Sequence, residues 1–144
     1  MVFDPNKYRL KKLDRYETYI KSLSSQNIDP HCIENSVLEA ITNIKNKKAR
    51  SFVVYGEPQS GKTSMMIGLT AKLLDNGFKL IILLIQDNLD LLTQNTLRFQ
   101  KSTLRPSPKL YQEVISPDVK IKDREFVIIC KKNTSNLKRL LDKV

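Results

Sequence analysis

One eight-residue stretch, GEPQSGKT at 56–63, constrains the fold of this chain more than any other feature. It matches the pattern G-x-x-x-x-G-K-S/T at every fixed position. The apolar run SFVVY at 51–55 precedes it, and residues 62–75, apolar on most sides, follow it. A strand, a glycine-rich turn and a buried helix form the setting in which this pattern binds phosphate. The sequence therefore predicts a strand at 51–55, a loop that binds nucleotide phosphates, and a helix at 62–75.

Each residue type in this loop has a physical reason to be there. Glycines 56 and 61 allow backbone angles and a close approach that a side chain would block. The loop amides and the helix N-terminus then point at an anion, which the helix dipole favours. Lys62 is suited to contact the β and γ phosphates during catalysis, and the Thr63 hydroxyl to ligate Mg²⁺. The alternative is a chance glycine-rich turn with a solvated lysine. The predicted cofactors are ATP and Mg²⁺, and the predicted nucleotide-binding residues are Gly56, Glu57, Pro58, Gln59, Ser60, Gly61, Lys62, Thr63 and Ser64.

Helical and strand patterns alternate along the rest of the chain. In order, they are a basic amphipathic helix at 8–23, a helix from Asp29 and Pro30 to about 45, the strand KLIILLI at 79–85, a helix capped by Asn88 and running to about 101, a long loop at 102–124 with a short strand near Val119, the strand EFVIICKK at 125–132, and a final helix opened by Asn133 or Thr134. Strands that alternate with helices predict an α/β fold with a parallel sheet covered by helices.

The composition indicates a polyanionic partner and argues against several protein classes. Lys and Arg number 25 against 15 Asp and Glu, which gives a formal net charge of +10. This excess makes nucleic acid the first candidate partner, and a solvated basic surface is the alternative. No apolar run is long enough to span a bilayer, so no membrane partner is expected. The two cysteines, Cys32 and Cys130, have no metal-ligand spacing. Cys130 closes the run FVIIC, which predicts a buried, inert thiol and a cytoplasmic protein.

Nucleotide hydrolysis requires an acidic residue that this sequence does not clearly supply. Such a residue lies at the end of a second strand, holds Mg²⁺ and helps to position the attacking water. Asp87 follows the strand at 79–85 and imitates the pattern, but this is the first strand after the loop helix. The alternative is that Asp87 precedes the next helix, where a carboxylate suits the dipole. Because no other apolar run ends in Asp or Glu, turnover by the chain alone is not predicted.

The loop and two later segments together resemble the Z-one-domain ATPases, helicase-like proteins described as candidate endonucleases. The segment PQSGKT at 58–63 resembles their phosphate loop, known as Walker A. Asn88-Leu89 followed by Thr93-Gln94 is similar to the NL and TQ of that family. The segment KKN at 131–133, followed by Leu137, is the third similar piece. The resemblance covers roughly residues 50–143.

The resemblance implies a helicase-like motor of superfamily two that acts on DNA with ATP, in restriction or phage defence. It implies a P-loop NTPase with a RecA-like, three-layer core, here incomplete. We therefore expect an N-terminal helical segment at 1–49 and a partial core at 50–144. The family has an acidic strand soon after KKN and a second RecA-like domain. Accordingly, we expect this chain to be the N-terminal part of a larger ATPase, whose remaining domain or a partner chain completes the sheet.

The same resemblance points to DNA contacts after the strand at 79–85. They are Asn88, Thr93, Gln94 and Arg98. The alternative for these residues is a helix cap and a solvated helix face. A nucleotide-binding or assembly module without turnover is the alternative function. A small nucleotide kinase is disfavoured, because Arg98, Arg105 and Arg124 are too scattered to form a lid.

Overall fold

Six helices and three strands are formed by the residues that the computed structural model describes, which are 14–46, 51–57, 61–122 and 124–144. In chain order the elements are α1 Arg15–Ser25, α2 His31–Lys45, α3 Lys62–Asp75, β1 Leu80–Ile85, α4 Leu89–Lys101, β2 Lys109–Leu110, α5 Tyr111–Val114, β3 Phe126–Lys131 and α6 Thr134–Leu141. None of these helices is both long and apolar enough to cross a membrane.

The three strands form a parallel sheet in the order β1-β3-β2. β1 and β3 pair along six residues, from Leu80 opposite Phe126 to Ile85 opposite Lys131. β2 pairs with the other edge of β3, with Lys109 opposite Ile128. The expected α/β fold with a parallel sheet is therefore confirmed, and the open sheet is that of an incomplete RecA-like core.

Helices cover both faces of the sheet at its central strand. Residues 126–130 of β3 are all buried, and successive side chains of a strand point to opposite faces. Val127 and Ile129 pack in the cluster that contains α1 to α4, whereas Ile128 and Cys130 pack with α5 and α6. Burial raises the pKa of the Cys130 thiol, as expected for an inert cysteine. The result is three layers, helix on sheet on helix. Helices do not cover Leu84 of β1 in this way, and this residue remains 47% exposed.

The two N-terminal helices pack on α3 and share its hydrophobic core. Gly68 lies at the closest approach, where a Cβ atom would come within 3.4 Å of Ile33 Cγ2 and 3.5 Å of Val37 Cγ2. Asp75, the last residue of α3, accepts hydrogen bonds from the backbone N–H groups of Arg15 and Tyr16 at the start of α1. These contacts join 14–45 to the rest of the protein, and a domain boundary at 49/50 stays a prediction.

The expected strand at 51–55 is not formed. Residues 51–57 have no regular secondary structure and belong to no sheet. Val53 is 92% exposed and Tyr55 is 89% exposed, so the apolar run is not buried. A strand needs a neighbouring strand for its backbone hydrogen bonds, and residues 51–57 pair with none of the three described strands. The prediction from the local pattern was therefore wrong.

The short strand expected near Val119 was also placed wrongly. The strand in this region is β2, which is only two residues long and is followed at once by α5. Two residues carry no alternation of apolar and polar side chains, so no sequence pattern marks their position.

Candidate functional site

The start of α3 is the structural setting of the predicted phosphate loop. Gly61 precedes the helix with φ +80°, in the left-handed region that glycine adopts without strain. Within the described residues no side chain caps α3, and its first turn has no acidic residue. By contrast, Asn88 caps α4 and Asn133 caps α6. The first N–H groups of α3 and the positive end of its dipole therefore suit an anion.

Lys62 folds back onto the opposite end of the loop. Its Nζ atom donates to the backbone oxygen of Gly56 over 2.9 Å and to that of Glu57 over 2.6 Å. The structure thus brings together Gly56, Glu57, Gly61 and Lys62, four of the predicted loop residues. Thr63 and Ser64 lie in the first turn of α3, and Pro58, Gln59 and Ser60 lie outside the described residues.

The Thr63 hydroxyl is held between two side chains of α4. Its Oγ1 atom donates to Asn95 Oδ1 over 3.0 Å, and Arg98 Nη1 donates to the same Oγ1 over 3.2 Å. A hydroxyl has one hydrogen and two lone pairs. Donation to Asn95 therefore fixes the direction of its lone pairs, one of which receives the Arg98 hydrogen bond.

A cavity of about 410 Å³ lies beside Thr63, between α1, α3 and α4. Burial raises the pKa of the Tyr19 hydroxyl on its wall, and a hydrogen bond with Ser64 partly offsets this. The described residues that line the cavity include two cations and no carboxylate, which makes it suitable for an anionic group. They are Tyr19, Ser22, Leu23, Gln26, Ile28, Thr63, Ser64, Ile67, Arg98, Lys101, Ser102 and Thr103.

A second cleft, of about 350 Å³, lies beside Lys62 and is more apolar. Its wall combines α2, α3 and the segment at 51–57. The residues are Cys32, Ser36, Val54, Tyr55, Gly56, Lys62, Met65, Met66 and Leu69. Lys62 therefore faces an apolar cleft, whereas its neighbours Thr63 and Ser64 face the basic cavity.

Comparison with known protein families identifies the setting of this site. The family model described as type III restriction enzyme, res subunit, matches residues 13–143. The chain belongs to this family. The res-subunit family is one of helicase-like ATPases of the restriction type, so the resemblance to superfamily-two helicases is confirmed. Searches of the curated proteins and of the solved structures found no match.

The res-subunit match also covers the two N-terminal helices. The motif resemblance extends over roughly 50–143, whereas the family model begins at residue 13. This agrees with the packing of α1 and α2 on α3.

In this res-subunit chain, Asp87 is engaged in an ion pair at the end of β1. Its Oδ1 atom lies 2.9 Å from Lys131 Nζ, and Asn133 Nδ2 donates to Oδ2 over 3.3 Å. The hydrogen bonds from Lys131 and then Asn133 hold the pKa of the Asp87 carboxyl below its usual range. The carboxylate is thus ionised, with its charge offset by Lys131. Asp87 also lies just before Asn88, the cap of α4, and a metal-positioning role is the interpretation that the sequence disfavours.

The four candidate DNA contacts have different surroundings. The Asn88 side chain caps α4, accepting from the N–H groups of Asp90 and Leu91. Thr93 Oγ1 donates to its own helix, and the Gln94 side chain is exposed. Arg98 reaches Thr63 instead. Contact with DNA stays a prediction for all four residues.

Asn95 is the site residue that sequence reasoning missed. Asn95 and Arg98 are three positions apart on α4 and so share a helix face, which was a usable signal. Their common partner, Thr63, is 35 positions from Arg98 along the chain, and no local sequence pattern predicts that contact.

Proposed function

We propose that this chain is the ATP-binding portion of a helicase-like, DNA-acting ATPase of the restriction or phage-defence type. The observation that carries the proposal is the position of Lys62 and Thr63 at the uncapped N-terminus of α3. This arrangement occurs in a member of a family of helicase-like ATPases. Both facts support phosphate binding at this end of the helix.

Lys62 is the residue that we expect to contact the β and γ phosphates. Its ammonium group binds two neutral carbonyl oxygens, those of Gly56 and Glu57. A phosphate oxygen carries a formal negative charge and attracts the ammonium more strongly than a neutral carbonyl oxygen does, so ATP would compete for these donors. The backbone of 56–64 would surround the phosphates, with Gly61 allowing the turn into the helix.

Mg²⁺ fits the donor set beside this loop. The family generally uses ATP and Mg²⁺. Mg²⁺ usually keeps several waters and takes one or two protein oxygens together with substrate phosphates. The Thr63 hydroxyl, oriented by Asn95, would be such a ligand. The described residues include no group of three or more Asp, Glu, His or Cys side chains that could hold a metal ion, and a nucleotide-bound Mg²⁺ does not need one.

DNA is the polyanion that we propose for the basic surface. The net charge of +10 favours phosphate contacts, and restriction-type helicases act on nucleic acid. We further propose that a second ATPase domain or a partner chain completes the sheet. A partner strand would pair with the edge of β1 opposite β3, where the described residues provide no strand. A cytoplasmic location is part of the proposal.

A binding or assembly module without turnover is the second candidate. The ion pair between Asp87 and Lys131 favours it, because a carboxylate neutralised by lysine is a poorer metal ligand. Such a module would bind ATP at the same loop. It would differ in having no energetic link between nucleotide and DNA.

The test is a titration of a labelled duplex and a labelled single strand at low and moderate salt, with and without Mg-ATP. We expect affinity that falls steeply with salt, because phosphate contacts release counterions. We also expect Mg-ATP to change the DNA affinity by about 5-fold or more, the lower end of usual coupling between sites.

The control in this titration is Lys62→Ala, in which the effect of ATP on DNA affinity should disappear while the salt dependence remains. Affinity that does not fall with salt would rule out the electrostatic DNA interface. Salt-dependent binding that ATP leaves unchanged would instead favour the binding or assembly module.

A further inference from the structure

Arg98 is a cation that reaches from α4 to the first turn of α3. It lies in the last turn of α4, is exposed to solvent, and donates from Nη1 to Thr63 Oγ1. A guanidinium group carries five N–H donors in a planar fork. Among the described residues Arg98 forms no ion pair, and this hydrogen bond is with a neutral hydroxyl. Most of its donor capacity is therefore free for a stronger acceptor.

The surroundings of Arg98 favour an anion at this position. Lys101 lines the same cavity. The positive end of the α3 dipole lies at the first turn of that helix, which contains Thr63 and Ser64. No Asp or Glu is among the described residues that line this cavity. An anion beside Thr63 would thus meet the Arg98 guanidinium and a helix N-terminus, with no carboxylate among the described residues of the wall.

Asn95 determines how Thr63 faces this anion. Its Nδ2 atom donates to the Leu91 backbone oxygen over 2.8 Å, which fixes the amide so that Oδ1 accepts from Thr63. Because the hydroxyl hydrogen is committed to Asn95, the oxygen lone pairs point away from it. Those lone pairs are what a Mg²⁺ ion would need.

We propose that Arg98 binds the terminal phosphate of the nucleotide in cis and that Asn95 positions the Thr63 hydroxyl for the metal. This inference rests on the proposed function, since it needs ATP at the loop. Phosphate oxygens accept charge-assisted hydrogen bonds that are stronger than the one from Arg98 to a neutral hydroxyl. The guanidinium would therefore move from Thr63 to the phosphate and leave the Thr63 lone pair for Mg²⁺.

This assignment competes with a role for Arg98 in DNA binding. A side chain whose donors are committed to the nucleotide does not also neutralise a DNA phosphate. Lys101 is the matched control, because it carries the same charge on the same helix and lines the same cavity without a hydrogen bond to Thr63.

The experiment measures dissociation constants for Mg-ATP, Mg-ADP and duplex DNA with the wild type, Arg98→Ala, Arg98→Lys and Lys101→Ala. We expect Arg98→Ala to weaken ATP binding by about 10- to 100-fold, the range for losing a hydrogen bond to a charged group. ADP binding should weaken less, since the terminal phosphate of ATP is absent. Arg98→Lys should recover part of the loss, because it keeps the charge but not the fork. DNA affinity should fall no more in Arg98→Ala than in Lys101→Ala.

The positioning role of Asn95 has its own readout. We compare ATP affinity with Mg²⁺ and with a chelator, in the wild type and in Asn95→Ala. The enhancement of ATP binding by Mg²⁺ should shrink in Asn95→Ala, a change that a general loss of stability would not produce. An unchanged enhancement would overturn the role of Asn95.

Measurements on Lys62→Ala show whether a negative result contradicts the role of Arg98 alone or the proposed function as well. If Lys62→Ala abolishes ATP binding while Arg98→Ala and Lys101→Ala have equal, small effects, the role of Arg98 is wrong and the phosphate loop stands. If Lys62→Ala binds ATP as the wild type does, the nucleotide site lies elsewhere and both proposals fall. Arg98→Lys keeps the comparison open should Arg98→Ala fold poorly.

Discussion

Lys131 Nζ lies 2.9 Å from Asp87 Oδ1, so an ion pair joins the residue that ends β3 to the turn after β1. Asn133, which caps α6, donates to the same carboxylate. The ends of β1 and β3 and the start of α6 are thereby tied to one side chain. Asp87 is thus a structural contact as well as the strand-end carboxylate that a catalytic role would need.

The first prediction concerns the acid stability of the fold. The pKa of Asp87 is depressed in the folded state, below its ordinary value of 3.8. A depressed pKa contributes stability above the unfolded-state value, and that contribution is lost as the pH falls through the folded-state value. We expect Asp87→Asn to lower the melting temperature at neutral pH and to have progressively less effect below about pH 4. Thermal unfolding of both proteins between pH 3 and 7 measures this.

Lys131→Gln and the double variant are the controls for that measurement. If the ion pair is responsible, Asp87→Asn should have little effect once Lys131 is replaced. An equal effect in both backgrounds would contradict the assignment, as would a loss that does not depend on pH.

The second prediction concerns the packing of α1 and α2 on α3. A Cβ atom at Gly68 would meet Ile33 and Val37 at 3.4 and 3.5 Å, which is ordinary contact. Alanine should therefore be tolerated and should stabilise the helix by about 0.5–1 kcal/mol. Gly68→Leu should destabilise the fold by about 1–3 kcal/mol, because the extra atoms overpack the interface. Urea unfolding distinguishes the two, and a Leu variant as stable as Ala would refute this packing.

The third prediction is that the chain by itself hydrolyses ATP no faster than background. The phosphate contact that we propose for Arg98 does not position the attacking water, which needs an acidic strand end. Asp87 lies in the turn after β1, and Lys131 offsets its negative charge. The measurement is phosphate release, with and without DNA, against Lys62→Ala. Robust release that Lys62→Ala removes would contradict this expectation, and Asp87→Asn would then show whether Asp87 is the acid.

Most helices and the two longer strands could be predicted from local sequence. Their boundaries are marked by capping residues and by glycine: Asn88 and Asn133 cap α4 and α6 as expected, and Gly77, with φ +88°, follows the end of α3. The apolar runs of β1 and β3 predicted buried strands because both faces of the sheet are covered.

What failed depended on contacts between distant parts of the chain. The run at 51–55 has the composition of a strand, but a strand forms only beside a partner strand. The local sequence does not specify that partner. The hydrogen bond from Arg98 to Thr63 and the ion pair of Asp87 with Lys131 likewise join residues far apart in sequence. The motif names the residues of the predicted phosphate loop, which stay a prediction, whereas no local pattern indicates the contacts of Thr63 with α4.

The most direct test of nucleotide binding at the start of α3 is thermal unfolding with Mg-ATP in the wild type and in Lys62→Ala. ATP at a hundred times its dissociation constant should stabilise the wild type by about 2.7 kcal/mol. Lys62→Ala should lose most of this gain, whereas Lys79→Ala, an exposed lysine just before β1, should keep it. Without nucleotide, Lys62→Ala should melt near the wild-type temperature, because among the described residues the Lys62 ammonium forms hydrogen bonds with just two loop carbonyls. Equal stabilisation of the wild type and Lys62→Ala would contradict the assignment of Lys62 as the phosphate contact.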